Sequence, residues 1–245
     1  MWEQILPGLR IKLFMTVLLG VIYPLAMTGI SQAIFSDKAN GSLIKTSDKV
    51  VGSGIIGQSF TRPEYFHPRP SSAGSGYDAS SSSGSNLGPT SAKFLHGTTK
   101  IDDKKNEVVD FDGIELRLVD YCIENDIPYE SSASLDQFKD ASGTLDRVKL
   151  IKAFNSDKAP LTFKAKAAIP ADAVTGSASG LDPHISPANA EIQATRVAKA
   201  RGVPTDQIRS LVAQCTEQPT LGFLGEPRVN VVKLNLALDS KILRK

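Results

Sequence analysis

Between Leu13 and Phe35 the chain reads LFMTVLLGVIYPLAMTGISQAIF, 23 residues without a charge. At about 1.5 Å of rise per residue, a helix of that length crosses the roughly 30 Å hydrocarbon core of a bilayer. Arg10 and Lys12 flank the run on one side, Asp37 and Lys38 on the other, and a spanning helix is the leading reading. Pro24 would break a helix in water, but a bilayer tolerates it because exposing backbone to lipid costs more, so Tyr23 and Pro24 mark a bend. The rival is a cleaved signal peptide, whose apolar stretch is only about 7–15 residues and ends in an A-x-A-like site. No clean site of that kind occurs here. Orientation rests on size more than charge, because Lys38, Lys45 and Lys49 blunt the contrast with Arg10 and Lys12. A 12-residue leading segment against about 210 residues beyond the span points to a cytoplasmic stub and an outer domain, since long domains translocate largely regardless of charge. The expected organisation is a stub and span over 1–36 and an extracytoplasmic domain over 37–245.

The outer part is long enough to bury a core without a disulfide scaffold. Cys122 and Cys215 could make one bridge at most and are too few and too far apart for a thiolate zinc site. A formal charge of +2 lacks the basic excess that phosphate neutralisation by a nucleic-acid binder requires.

The pattern beyond the span predicts a mixed α+β domain. Short apolar runs at Ser42–Ile44 and Val50–Val51 flank Thr46-Ser47-Asp48-Lys49, a hairpin signal. From Phe60 to Pro89 the chain is rich in Pro, Ser and Gly, which by composition alone reads as a flexible linker. Ser186 before Pro187, with Gly202 and Pro204 after Arg201, punctuate a helix whose Ala190, Ala194, Val197 and Ala198 share a face. Thr205 can cap a second helix with Ile208, Leu211, Val212 and Cys215 on one side, making Cys215 a small core residue. The segment VNVVKLNLALD allows two readings, a strand on the alternation of Leu234, Leu236 and Leu238, or a helix capped by Asn230 that uses Val231, Leu234 and Leu238.

Catalytic motifs mostly fail on context. Gly52, Gly54 and Gly57 spell G-x-G-x-x-G, but the sequel QSFTRPEYFHPRP contains three prolines that forbid the helix needed to hold a pyrophosphate. The plain reading is a glycine-rich turn after a strand. Gly176–Gly180 places Ala178 where a hydrolase elbow needs its nucleophile. His67, His96 and His184 show no metal-ligand spacing, so neither a catalytic residue nor a metal ligand is nominated by motif. SASGLDPHISP, Ser177 to Pro187, sets hydroxyls, Asp182 and His184 on a loop at the positive end of the helix starting near Pro187, suited to an anion or a partner's carboxylate. The structural alternative is that Asp182 and Ser186 satisfy loop and cap donors.

Six strings then occur in order: NGSLI (Asn40–Ile44), GSGIIGQSF (Gly52–Phe60), YFHPRPS (Tyr65–Ser71), SSGSNLGPT (Ser82–Thr90), SASGLDPHISP and GFLGEPRVNVVKLNLALD (Gly222–Asp239). With the anchor ending in GVIYPLAMTGI, they make the chain resemble the C subunit of the bacterial Kdp potassium-transporting ATPase over residues 1 to about 90 and about 168 to 240. The resemblance reinterprets the Ser/Gly stretch as ordered. It implies a non-catalytic accessory subunit of an ATP-driven potassium importer in the inner membrane, with a channel-like potassium-binding subunit, an ATP-hydrolysing P-type subunit and a small hydrophobic one as partners. It further implies a catalytic chaperone that raises the nucleotide affinity of the ATP-hydrolysing subunit. ATP would then be reached through the complex, with no tightly bound cofactor and with Gln193 in AEIQATRVA the match for a nucleotide-contacting glutamine. ATP in the cytoplasm cannot reach Gln193 if the domain lies outside, so an effect on nucleotide affinity would have to travel through the span or the partners. Partner contacts are expected at Gly20 and Gly29, where small side chains admit a neighbouring helix, and at Asp182 and His184. The alternative function is a membrane-anchored extracytoplasmic enzyme using Asp182 and His184 as an acid–base pair.

Residues from about 91 to 168 depart from the family pattern and read as an insertion that is folded at least in part. Asp112-Gly113-Ile114-Glu115 is a capping-box pattern followed by Ile114, Leu118, Tyr121 and Cys122 at helical spacing. Ser134 to Gln137 is another capping pattern, and LTFKAKAA alternates like a strand from Leu161 to Ala168. Ile101–Asp146 holds thirteen acidic residues against four basic, whereas Arg147–Lys166 holds six basic against Asp157 alone. The two halves either pair with each other or leave an acidic surface that concentrates cations.

Overall fold

Leu18 to Ile22 forms a single π turn inside an otherwise α-helical run, between α1 (Trp2–Val17) and α2 (Tyr23–Ile34). In this computed structural model, which describes residues 2–242, the apolar helical run extends over Glu3–Ile34, 32 residues long. The disturbance expected at Tyr23 and Pro24 therefore takes the form of a π turn immediately before the proline. Pro24 lacks an N–H and its ring crowds the carbonyl four residues back, and the wider turn relieves that conflict. Thr28 Oγ1 donates to the Pro24 carbonyl at 2.8 Å.

The chain divides into two compact units, Met1–Ile55 and Ile56–Lys245. The first continues past the long helix into α3 (Ser36–Ala39) and an antiparallel hairpin of β1 (Leu43–Thr46) and β2 (Lys49–Ser53). Ser47 and Asp48 both take positive φ, 49° and 64°, as a two-residue hairpin turn matched to strand twist requires. Gly52 and Gly54 leave this hairpin into a turn, with no helix behind them.

In the second unit the Ser/Gly stretch has little regular structure yet is firmly packed, so the composition reading as a linker is corrected. Phe66 and Ala73 are completely buried, and Tyr77 is wedged against Gly57 with its hydroxyl donating to the Arg69 carbonyl at 2.9 Å. Ser83 N–H donates to the Ser179 carbonyl at 3.0 Å. A Cβ on Gly84 would come within 2.6 Å of the Ala178 carbonyl oxygen, and one on Gly180 within 2.5 Å of Ser83 O. Two side-chain-poor segments, far apart in sequence, thus lie backbone against backbone, which is what their glycines permit.

Residues 91–168 fold around a small core of their own. Here α4 (Ala92–His96) precedes a hairpin of β3 (Thr98–Ile101) and β4 (Glu107–Phe111), then α5 (Ile114–Glu124), β5 (Tyr129–Ser131), a 3-10 turn at Leu135–Phe138, α6 (Arg147–Phe154) and β6 (Phe163–Ala165), which pairs antiparallel with β5. Leu116, Val119, Leu150, Ile151 and Phe154 fill this core. Three local expectations change. The N-cap of α5 is Gly113 without a side-chain cap, because Asp112 turns to Arg147 and Glu115 faces His96 Nδ1 at 2.7 Å. The most buried face of α5 carries Leu116, Val119 and Cys122 in place of Ile114 and Leu118. The alternating segment at 161–168 supplies a strand of only three residues, Phe163–Ala165. Ser134 does cap its turn, accepting from Asp136 N–H at 3.3 Å.

The rest comprises α7 (Ala171–Val174), β7 (His184–Ile185), α8 (Pro187–Arg201), α9 (Thr205–Cys215), β8 (Thr216–Glu217), β9 (Arg228–Asn230) and α10 (Val231–Lys241), with an antiparallel sheet ordered β7-β9-β8. Ser186 caps α8 through Asn189 N–H at 3.1 Å, and Gly202 ends it at φ 68°. The N-cap position of α9 is Pro204, and Thr205 is its first helical residue without a capping bond. For VNVVKLNLALD the helix prevails: β9 ends at Asn230, whose side chain accepts from Lys233 N–H at 3.1 Å. Ala190, Ala194, Val197, Ile208, Leu211, Leu234 and Leu238 enclose the main core with Phe66, and Cys215 packs at its margin. Both cysteines are free.

Candidate functional site

One face of α8 enters the apolar core through alanines and Val197, while Asn189, Gln193 and Arg196 form a polar row that is largely closed off from water. Gln193, only 2% exposed, uses its whole amide: Nε2 donates to His67 O at 3.1 Å and to Asn189 Oδ1 at 2.8 Å. Its Oε1 accepts from His67 N–H at 2.7 Å and from Arg196 Nη2 at 2.8 Å. Arg196 reaches the Pro63 and Tyr65 carbonyls at 2.7 and 3.0 Å, and its Nε donates to Asn125 Oδ1 at 3.2 Å. Burial pulls the Arg196 guanidinium below its usual range, against the attraction of Glu124. Closing the row from α5, Tyr121 donates its hydroxyl to Asn189 Oδ1 at 2.8 Å. Burial pushes the Tyr121 phenol well above its usual value, so it stays protonated and keeps its proton for Asn189.

Beside this row lies a cleft of about 250 Å³, lined among others by His67, Asp120, Tyr121, Glu124, Arg147 and Gln193. His67 Nδ1 faces Glu124 Oε2 at 3.3 Å. Burial pushes the Glu124 carboxyl up, but the bond to His67 and the charges of His67 and Arg196 outweigh it and hold it below the ordinary range. Arg147 bridges Asp112 and Asp120, each at 3.1 Å. Lys152 pairs with Glu107, and Lys166 with Glu130 at 3.3 Å. Arg147, Lys149, Lys152 and Lys166 of the basic half are thus paired with acids of the acidic half.

Asp182 and His184 come together, as their spacing suggests, in a second network. Asp182 Oδ1 accepts from His184 N–H at 3.0 Å and lies 3.1 Å from its Nδ1, while Oδ2 accepts from Arg69 Nη1 at 3.1 Å. Burial raises the Asp182 carboxyl, yet the bonds to His184 and the charge of Arg69 win and keep it low. Arg69 also donates to the carbonyls of Thr175 and Gly176 at 3.3 and 3.1 Å, so this cluster ties the loop before α8 to the Tyr65–Ser71 segment. Ser186 serves as cap and also binds Asp172 through its N–H and hydroxyl, both at 2.8 Å. Gly20 and Gly29 lie in the apolar helix, where an added Cβ meets nothing within 4 Å. Sequence reasoning missed Arg69, Tyr121, Asn189 and Arg196. The signal for Asn189 and Arg196 was present, since with Gln193 they recur at i, i+4 and i+7 beside the alanine face.

The model of the family described as "KdpC: K+-transporting ATPase, c chain" matches the chain over residues 5–138 and 131–240, two stretches that meet within the 91–168 region. The potassium-transporting ATPase KdpC subunit of Mycobacterium tuberculosis is 43% identical over 239 residues, covering 98% of this chain and 99% of its own. That of Beijerinckia indica is 43% identical over 241 residues, and that of Caulobacter vibrioides 45% over 243, each covering 98% of this chain and 95% of its own. A likeness that runs through the apolar N-terminal helix and the whole domain describes a membrane-anchored accessory subunit of a potassium pump. The chain belongs to the KdpC family, the c chain of K+-transporting ATPases.

Proposed function

We propose that the chain assembles and stabilises the potassium-importing complex and acts on it as a catalytic chaperone, raising the nucleotide affinity of the ATP-hydrolysing subunit. Its partners in this reading are that subunit, the channel-like potassium-binding subunit and the small hydrophobic one. The short stub before the span lies in the cytoplasm and the main domain outside the inner membrane. The full-length likeness to KdpC subunits carries the accessory role.

The saturated hydrogen bonding of Gln193 supports an indirect influence on nucleotide affinity. A nucleotide contacting this amide would have to displace four bonds from a nearly waterless position, and each orphaned partner would cost about 1–3 kcal/mol. Gln193 therefore holds α8 to the His67 segment, and the influence on ATP passes through protein contacts, as coupling between separate sites requires. Asp182 and His184 shape the loop that meets a partner, and Gly20 and Gly29 let a partner helix approach the span. Adding the full chain to a pump purified without it should lower the half-saturating ATP concentration for potassium-stimulated hydrolysis, while the chain alone in detergent shows no ATP-dependent rise in melting temperature. A rise for the chain alone would replace transmission with direct nucleotide contact. An unchanged ATP requirement would remove the chaperone role.

A further inference from the structure

The hairpin of β1 and β2, which follows the apolar helix within the unit Met1–Ile55, leaves Leu43, Val50 and Ile55 exposed at 48%, 54% and 58%, with Val51 exposed beside them. It is tied to the end of that helix. Gln32, in the last turn of α2, and Asn40, just past α3, exchange reciprocal side-chain amide bonds at 3.3 and 3.1 Å, and Asn40 Nδ2 also donates to the Ser36 carbonyl at 2.7 Å. Ser42 N–H donates to the Asp37 carbonyl at 2.9 Å and Ser53 Oγ to the Gly41 carbonyl at 2.7 Å, which fixes both strands to the same corner. The chain therefore turns back on itself, and Asn40 stands level with the last turn of α2. As a helix, the uncharged run Leu13–Phe35 is about 34 Å long, close to the hydrocarbon thickness of a bilayer. This corner thus sits at the edge of the apolar layer, where headgroups add about 5–7 Å on each side.

We infer that β1 and β2 lie flat in the headgroup layer beside the end of the span, with Leu43, Val50, Val51 and Ile55 set into the acyl boundary and the Lys45 and Lys49 ammonium groups raised to lipid phosphates. The inference rests on the helix crossing the bilayer, and lipid is the occupant because the hairpin is continuous with that crossing element and held at its depth. Val50 and Val51 lie toward the turn and Leu43 and Ile55 toward the base, so a hairpin standing up from the surface strands the first pair in water, whereas one lying down covers all four. Register sets Lys45 against Val50, which places an ammonium on a long apolar stem beside a side chain that seeks the acyl boundary, as snorkelling requires. Asp37 and Lys45, with Ser36, Asn40 and Leu43, line a hollow of about 360 Å³ without pairing with each other. Opposite charges held apart in this way match the phosphate and ammonium of a zwitterionic headgroup. Lys38, Lys45 and Lys49 barely outnumber Asp37 and Asp48, so apolar burial, and not attraction to anionic lipid, holds the hairpin down.

The test places the full chain in phosphatidylcholine bilayers, with Trp2, the single tryptophan of the sequence, changed to Phe so that one introduced indole reports depth. The Val50→Trp reporter should lose about half its emission when the lipid is brominated at the head end of its acyl chains, as a side chain set at that boundary does. A Val21→Trp reporter, inside the span, should be quenched most by bromines deeper in the chains. Adding Leu43→Ser, Val51→Ser and Ile55→Ser to the Val50→Trp reporter should abolish its quenching, which shows that the native side chains and not the new ring hold the hairpin down. Quenching that survives the three serines overturns the proposal. So does an unquenched Val50→Trp reporter while the Val21→Trp reporter is quenched, a result that leaves the span in place. Reconstitution with the other pump subunits should leave the quenching at position 50 unchanged, and its loss would assign the hairpin to a protein partner and overturn the lipid contact. If the Val21→Trp reporter is itself unquenched, the span reading falls and the hairpin's placement with it.

Discussion

Asp120 stands between Arg147, 3.1 Å away, and the like charges of Glu124 and Asp112. Burial pushes its carboxyl up to about 6, against the attraction of Arg147. The folded state then holds this proton more tightly than the unfolded chain, so its contribution favours folding at low pH and is lost as pH rises from about 4 to 6. Above that range the ionised group costs stability, about 1–2 kcal/mol once its 32% side-chain exposure is allowed for. Asp120→Asn should therefore be more stable than wild type above pH 6 and equal to it below about pH 4, measured by denaturant unfolding of the full chain in detergent. Lower stability of the variant at pH 7 would show that Arg147 outweighs burial. The cause of this shift was not legible in the sequence, which shows Asp120 only as one of many acids. The polar row of α8 was half legible: Asn189, Gln193 and Arg196 share a face by spacing, but their burial depends on Tyr121 and His67, which arrive from distant segments.

At the scale of elements, the apolar helix was readable because lipid-crossing length and absence of charge are local properties. Its π turn at Leu18–Ile22 answers to Pro24 just beyond. Since a Cβ at Gly20 or Gly29 meets nothing within 4 Å, changing both to Leu should leave the helix intact and the chain in the membrane fraction. Recovery of the other subunits should nevertheless fall several-fold, because bulk at a small-residue position blocks close helix packing. Unchanged recovery would place both glycines against lipid. Capping at α8 was also local and read correctly, and the Asn230 cap of α10 was one of two readings the sequence left open, whereas the apparent capping box before α5 was not formed. Asp112 had a tertiary competitor in Arg147, and an ion pair across elements outbid a bond within one.

At the scale of the whole molecule, residues 91–168 have a core of their own and also close the polar row of α8. Tyr121, Glu124 and Asn125 supply hydroxyl, carboxylate and amide to Asn189, His67 and Arg196, and Ile192 packs on the cluster of Tyr121, Cys122 and Ile127. Replacing Ser91–Ala167 by a short Gly/Ser connection should therefore cost the chain about 3 kcal/mol or more, seen as a lower denaturant midpoint, because buried polar groups lose partners and an apolar cluster opens. An unchanged midpoint would make this region a peripheral appendage. The amino-acid sequence by itself determined the membrane span, the α+β character, the capped helix α8 and the family, since each rests on period, length or an ordered set of short strings. Tertiary structure alone decided that the Ser/Gly stretch is packed, that Arg147, Lys152 and Lys166 pair with acids of the preceding half of 91–168, and that Gln193 is sealed. Those outcomes depend on which distant backbones and charges meet, and burial, close approach and ion pairing are set by that meeting and not by neighbours in the chain.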